Sequence, residues 1–138
     1  MHVLVKRLKP RQQIGYADSR SVMINHEGGG SDDKAGFSSL ELWLFSLASS
    51  AATSMEGYAE EKGWNLTFLQ IEVEEDGNEE GYLLDLKFYI TAEGLTSDQR
   101  GEMFGAVRQE CTLLRAVNPD IELYFADRLV EDGIEPAD

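Results

Sequence analysis

The 138-residue chain has one cysteine, Cys111. A lone thiol cannot close an intrachain disulfide, so nothing here calls for an oxidising compartment. Histidine is almost as scarce, with only His2 and His26. Zinc sites use Cys/His pairs at fixed spacing, and there are none. A serine nucleophile would have to take His26 as its base, and no spacing supports that pairing. Positive charge is also in short supply. Twelve Lys and Arg stand against 26 Asp and Glu, for a formal net charge of -14. Such a chain repels nucleic acid and anionic membrane surfaces. Its acidity reads as a strongly solvated surface. No uncharged run is long enough to span a bilayer; the best, residues 42 to 55, is short and rich in serine. The first ten residues carry charges and no apolar signal core. The expectation is a soluble, cytoplasmic protein with neither nucleic acid nor membrane as partner.

What is present suffices for one domain with a modest core, at 42% hydrophobic residues. Val3 to Leu8, Gln12 to Ala17 and Arg20 to Asn25 read as short strands, parted by Pro10 and by Asp18-Ser19, a meander. The Gly/Asp loop of residues 26 to 37 follows. A long helix then runs from a Ser38 or Ser39 cap to Gly63, a common left-handed stop. Its apolar stripe includes Leu40, Trp43, Leu44, Leu47, Ala51 and Met55. Leu42 and Phe45 lie off the stripe, so several neighbours are expected to bury the first half. The middle, Ala48 to Ser54, holds only small residues.

Two strands around Asp76-Gly77-Asn78 come next, with Leu69, Ile71 and Val73 on one face of the first and Leu84, Leu86, Phe88 and Ile90 on one face of the return strand. Glu72, Glu74, Asp85 and Lys87 give that hairpin a wet side. A second helix starts at a Thr96–Gln99 capping box, carries Met103, Phe104, Val107, Cys111 and Leu114 on its apolar side, and stops at Asn118-Pro119. Residues 121 to 126 form a last strand. The order β-β-β-α-β-β-α-β is α+β. One domain is expected over residues 1–127, with an acidic, flexible tail over 128–138.

Candidate chemistry is sparse. His26, Glu27, Asp32 and Asp33 share one loop but lack a metal-ligand spacing. The segment GGGSDDK lacks the Gly-Lys-Ser/Thr ending of a phosphate loop, and its aspartates oppose phosphate. No G-x-S-x-G elbow occurs. Glu41 interrupts an apolar helix start and reads as a first-turn acid favoured by the helix dipole. Cys111, on an apolar helix side, reads as a small hydrophobe; reactivity would require a lowered pKa or a partner thiol.

Taken together, these segments resemble the OsmC/Ohr superfamily, the osmotically induced and organic-hydroperoxide-resistance proteins. SSLELWLFSLASSAATSMEGYAEEKGWNL is similar to the family's central helix, and RQECTLL to its second-helix Cys-Pro-Val motif. The likeness covers nearly everything but the tail. It implies an α+β homodimer wrapped around long central helices, with no cofactor and no metal. It also implies a thiol peroxidase ancestry, in which one cysteine attacks peroxide, a second forms a disulfide with it, and an Arg and a Glu assist. By this resemblance Ser50 stands at the attacking-cysteine position and Cys111 at the second, its following proline replaced by Thr112. The assisting glutamate falls on Leu40, Glu41 matches a common structural glutamate, and Asn25 falls near the Arg. A serine hydroxyl has no sulfenic acid chemistry. The implied function is a redox-family protein with lost or reduced peroxidase activity. Around Leu40, Glu41, Ser50 and Cys111 it implies a remnant pocket for a small apolar, thiol or peroxide ligand. The alternatives are a one-cysteine enzyme using Cys111 with an external thiol, and a non-catalytic dimeric module.

Overall fold

Alternating side chains and short turns build the first strands. In the computed structural model, which describes residues 1–26, 36–77 and 79–130, β1 (Leu4–Lys9), β2 (Gln12–Ala17) and β3 (Arg20–Asn25) form an antiparallel sheet in that order. Arg11 and Asp18 make the two turns with left-handed backbone, φ 64° and 57°. Aspartate tolerates that region well. Phe37 then pairs alongside Ile24 in a parallel bridge. The approach needs Gly36, because a Cβ there would lie 2.3 Å from the Met23 carbonyl oxygen. Of the Gly/Asp loop, residues 27–35 lie outside the described residues.

Helix α1 (Ser39–Lys62) starts on a reciprocal cap. The Ser38 hydroxyl accepts from the Glu41 amide at 3.0 Å, and the Glu41 carboxylate accepts from the Ser38 amide at 2.9 Å. Two donors that the first turn would leave unpaired are thus satisfied. The helix ends where expected: Gly63 has φ +71°.

The chain divides into two compact units, Met1–Phe45 and Ser46–Asp138. The second holds the larger core. Strands β4 (Phe68–Gly77), β5 (Leu83–Glu93) and β6 (Glu122–Asp127) form one sheet, β4 antiparallel and β6 parallel to β5. Leu86, Phe88, Ile90 and Ala92 alternate onto one face and are fully buried, with Phe125 from β6. From the second half of α1, Leu47, Ala51, Met55 and Ala59 join this core at steps of four. Helix α2 (Ser97–Glu110) adds Met103, Phe104 and Val107, and its capping box of Thr96 and Gln99 is formed as expected.

Four expectations need correction. The second helix does not run to Asn118. It breaks at Cys111, whose ψ of 121° is extended, and resumes as the single turn α3 (Thr112–Arg115). Leu84, expected on the buried face, is 48% exposed, because the core face begins at Leu86. The first half of α1 is not buried within the chain: Leu40 and Phe45 are exposed, and Leu42, Trp43 and Leu44 are half-buried. Finally, order does not stop at residue 127. The Arg128 amide donates to the Ile90 carbonyl at 2.9 Å, and its guanidinium pairs with Glu72 at 2.9 Å over the Tyr89 ring. The end of the acidic tail, residues 131–138, lies outside the described residues.

Candidate functional site

The break at Cys111 positions the thiol. A helix that simply continued would turn residue 111 into one more apolar stripe residue. With extended backbone, Cys111 instead ends α2 and begins α3, and the Leu113 and Leu114 amides turn toward its sulfur. A following proline would impose the same conformation. Here Thr112 follows, and the geometry holds without it.

Across from the thiol lies the small-residue stretch of α1. Ser50 Oγ is 3.2 Å from Cys111 Sγ. Short side chains on that turn leave room for the α2–α3 junction to come this near. The thiol is only 2% exposed. Burial pushes its pKa up, since the charged form loses water. Four hydrogen-bond donors outweigh that push: the Ser50 hydroxyl, the Leu114 amide, the Ser54 hydroxyl and the Leu113 amide. The net direction is downward from the ordinary thiol value, which favours the thiolate.

Cys111 also forms part of the wall of an open cleft of about 410 Å³, with Ser54, Gly57, Tyr58, Val107 and the acids Glu61 and Glu110. Beside it, Tyr58 donates to Glu102 at 2.5 Å, and Lys62 pairs with the same carboxylate at 3.3 Å. This trio ties the end of α1 to α2. Both the hydroxyl and the ammonium hold Glu102 below the usual carboxylate range.

Of the residues named from sequence, Ser50 and Cys111 are brought together. Glu41 is occupied in the α1 cap, and Leu40 beside it is 39% exposed. Neither lines the cleft. Asn25 ends β3, its amide bonded to the Phe37 carbonyl at 2.9 Å. His26 meets Ser39 at 3.0 Å, while Glu27, Asp32 and Asp33 lie outside the described residues. Among the described residues no cluster of three His, Cys, Asp or Glu could hold a metal ion, and no helix is long and apolar enough to cross a membrane. Sequence reasoning missed Ser54, Tyr58, Glu61 and Glu110. Their one signal is position: Ser54 follows Ser50 by four residues, and Glu110 adjoins Cys111.

The sequence pattern that defines the family described as "OsmC-like protein" matches residues 29–125. The chain belongs to the OsmC family. Solved structures agree on the fold. A Psychrobacter arcticus protein assigned to osmotic stress and detoxification response superposes with a TM-score of 0.77 at 16% identity, over 91% of this chain and 93% of that one. The OsmC-like protein of Mycoplasma pneumoniae gives 0.74 at 14%, over 91% and 95%. The organic hydroperoxide resistance protein OhrB of Bacillus subtilis gives 0.72 at 14%, over 91% and 96%. At such identities the likeness speaks for the fold alone. No curated protein matches the chain in sequence.

Proposed function

We propose that this OsmC-family protein has lost the two-cysteine peroxide cycle and works through one thiol, Cys111. The observation that carries this is the setting of that thiol: hydrogen-bonded to Ser50, depressed in pKa, and at the wall of a cleft. A hydroxyl at position 50 can donate to a thiolate but cannot be oxidised to a sulfenic acid or form a disulfide.

The chemistry then needs an external thiol. The Cys111 thiolate attacks a hydroperoxide oxygen; the O–O bond breaks, the sulfur becomes a sulfenic acid, and an alcohol leaves after taking a proton. A small thiol condenses with the sulfenic acid to give a mixed disulfide and water. A second molecule of the small thiol attacks that disulfide at the small thiol's sulfur, frees Cys111, and the two small thiols leave joined as a disulfide. Leu40 stands where the peroxidases carry an assisting carboxylate, so peroxide attack is slow by their standard. The near-complete burial of the thiol supports a second reading, in which the cleft binds a small apolar or thiol-bearing molecule without turnover.

We also propose a homodimer, with residues 1–127 of each copy acting as one domain. Uncovered apolar side chains on β1 and the start of α1 support it. A cytoplasmic setting fits a protein whose one thiol must stay reduced.

The deciding experiment follows alkyl hydroperoxide loss with a small monothiol as reductant. Slow turnover abolished in Cys111→Ser supports the one-thiol cycle. No turnover, with ligand-induced thermal stabilisation, supports the binding reading. Turnover that survives Cys111→Ser overturns both.

A further inference from the structure

The cleft beside Cys111 holds charge of one sign. Glu61 on α1 and Glu110 on α2 stand in its wall with the thiol. A third acid, Glu102, lies beside it, and Lys62 and the Tyr58 hydroxyl already hold that carboxylate. Among the described residues, no ion pair engages Glu61 or Glu110. The rest of the wall has little to offer an anion. Gly57 and Val107 bring no polar side chain, the Tyr58 hydroxyl donates to Glu102, and the Ser54 hydroxyl is turned to the Cys111 sulfur. The thiolate itself adds one more negative charge when it forms.

We infer that the cleft selects the sulfur compounds it admits by charge: small thiols and disulfides that carry an ammonium group are taken, and those that carry a carboxylate are repelled. That selection presupposes the one-thiol reading above and names the class of its co-substrate. A space of about 410 Å³ has room for a small organic molecule. The reductant of the proposed cycle must bring its sulfur to Cys111, so an ammonium a few bonds away enters a cleft whose two carboxylates have no cation of their own. A cleft lined by one sign of charge concentrates the opposite sign at its surface. The cation is organic, since among the described residues no cluster of acids, His and Cys could hold a metal ion.

The test is thiol–disulfide exchange on the full chain, which needs no peroxide. The Cys111 thiolate attacks one sulfur of a small symmetric disulfide, the S–S bond breaks, a mixed disulfide forms on Cys111, and one small thiolate leaves. The probes are cystamine, with two ammonium groups, the neutral disulfide of mercaptoethanol, and the disulfide of mercaptopropionate, with two carboxylates. Adduct formation is followed by intact mass. Each rate is divided by that of free mercaptoethanol with the same probe, which removes the leaving group's own reactivity. At about 50 mM salt the normalised rate for cystamine should exceed that for the dicarboxylate by about tenfold or more, and the ratio should shrink severalfold at about 500 mM. Glu61→Gln/Glu110→Gln should lose most of the ratio, and Asp76→Asn/Glu79→Gln on the β4–β5 turn should keep most of it. Should the first pair fail to fold as a double variant, the two single variants decide, each lowering the ratio. Gly57→Leu places a side chain where an added Cβ meets no atom within 4 Å, and should slow all three probes by filling the cleft. Unchanged rates there would mean that the thiol is reached by another route, which overturns the inference. Equal normalised rates for the three probes overturn the charge selection and leave the reacting thiol standing. A ratio lost equally in both double variants assigns the preference to the net charge of the whole chain and overturns the role of the cleft. No adduct from any probe overturns the reading of Cys111 as a reacting thiol, and this inference with it.

Discussion

Ser50 on α1 and Cys111 at the α2–α3 junction, 61 residues apart in sequence, meet at 3.2 Å through their side-chain Oγ and Sγ atoms. The contact joins the two parts of the chain that carry its family resemblance. It also fixes what the hydroxyl does: when the thiol ionises, Ser50 can only donate to it.

Removing that donor should therefore make the thiol a weaker acid. In Ser50→Ala, the midpoint of the pH–rate curve for iodoacetamide alkylation of Cys111 should move up, and the rate at neutral pH should fall by about tenfold or more, as a lost hydrogen bond to a charged group of about 1.5–3 kcal/mol would dictate. Ser54→Ala should act in the same direction and less. An unchanged midpoint in both would mean the amides of Leu113 and Leu114 hold the thiolate alone.

Replacing the donor by a second thiol tests the same contact covalently. Ser50→Cys needs only about 1 Å of approach to reach a disulfide of about 2.05 Å. Mild oxidation should give a product lighter by two hydrogens, with both thiols lost. A folded variant that keeps two free thiols under oxidant would refute the adjacency.

A buried ion pair closes the end of the sheet. Arg100 Nε donates to Asp127 Oδ2 at 2.7 Å, its Nη1 donates to the Leu95 carbonyl at 2.8 Å, and both side chains are nearly buried. Asp127→Ala strands the guanidinium and should cost about 3–5 kcal/mol in chemical denaturation. Arg100→Met with Asp127→Leu should recover most of that loss, because a packed apolar pair avoids the desolvation of both charges.

Gly94 admits no side chain. Its φ is +98°, and a Cβ would lie 2.2 Å from the Asn65 carbonyl oxygen. Both the dihedral and the clash involve backbone, which cannot swing aside. Gly94→Ala should lose about 1–3 kcal/mol or more, seen as a lower denaturation midpoint with the slope unchanged.

The Tyr58–Glu102–Lys62 trio gives stability a pH dependence of known sign. Glu102 is lowered from 4.5, so its contribution is present above that value and is lost as pH falls through the native pKa. Lys62 is raised from 10.5, chiefly by Glu102, so its contribution is present below that value and is lost as pH rises through the raised one. Tyr58 moves up as well, by its hydrogen bond to Glu102. Melting temperature against pH should flatten at both ends in Glu102→Gln. A profile that keeps its acid limb would assign that limb to other carboxylates.

The elements were legible because their signals are local. Periodicity, the serine cap of α1, the Thr96–Gln99 capping box and Gly63 gave helix starts and the α1 stop to within a residue or so, and alternation gave the core face of β4 and, from Leu86 onward, of β5. Tertiary pairings were another matter. The Arg100–Asp127 pair left no mark in the sequence, since nothing local shows that a guanidinium on an apolar stripe has a carboxylate waiting 27 residues away. The break at Cys111 was invisible because Thr112 carries no helix-stopping signal. The Ser50–Cys111 contact came through family likeness, not through any rule of spacing. The exposed start of α1 was misjudged because hydrophobicity says that a face wants cover without saying which chain supplies it.

The hydroxyl at residue 50 also changes what holds the two helices together. A cystine there would close a loop of about 60 residues and shrink the unfolded ensemble, a stabilisation on the order of 4 kcal/mol that vanishes whenever the bond is reduced. A hydroxyl–thiol contact has no such bond to make or break. With no cross-link between positions 50 and 111, the packing of α1 against the α2–α3 junction does not depend on a bond that a reductant could cut.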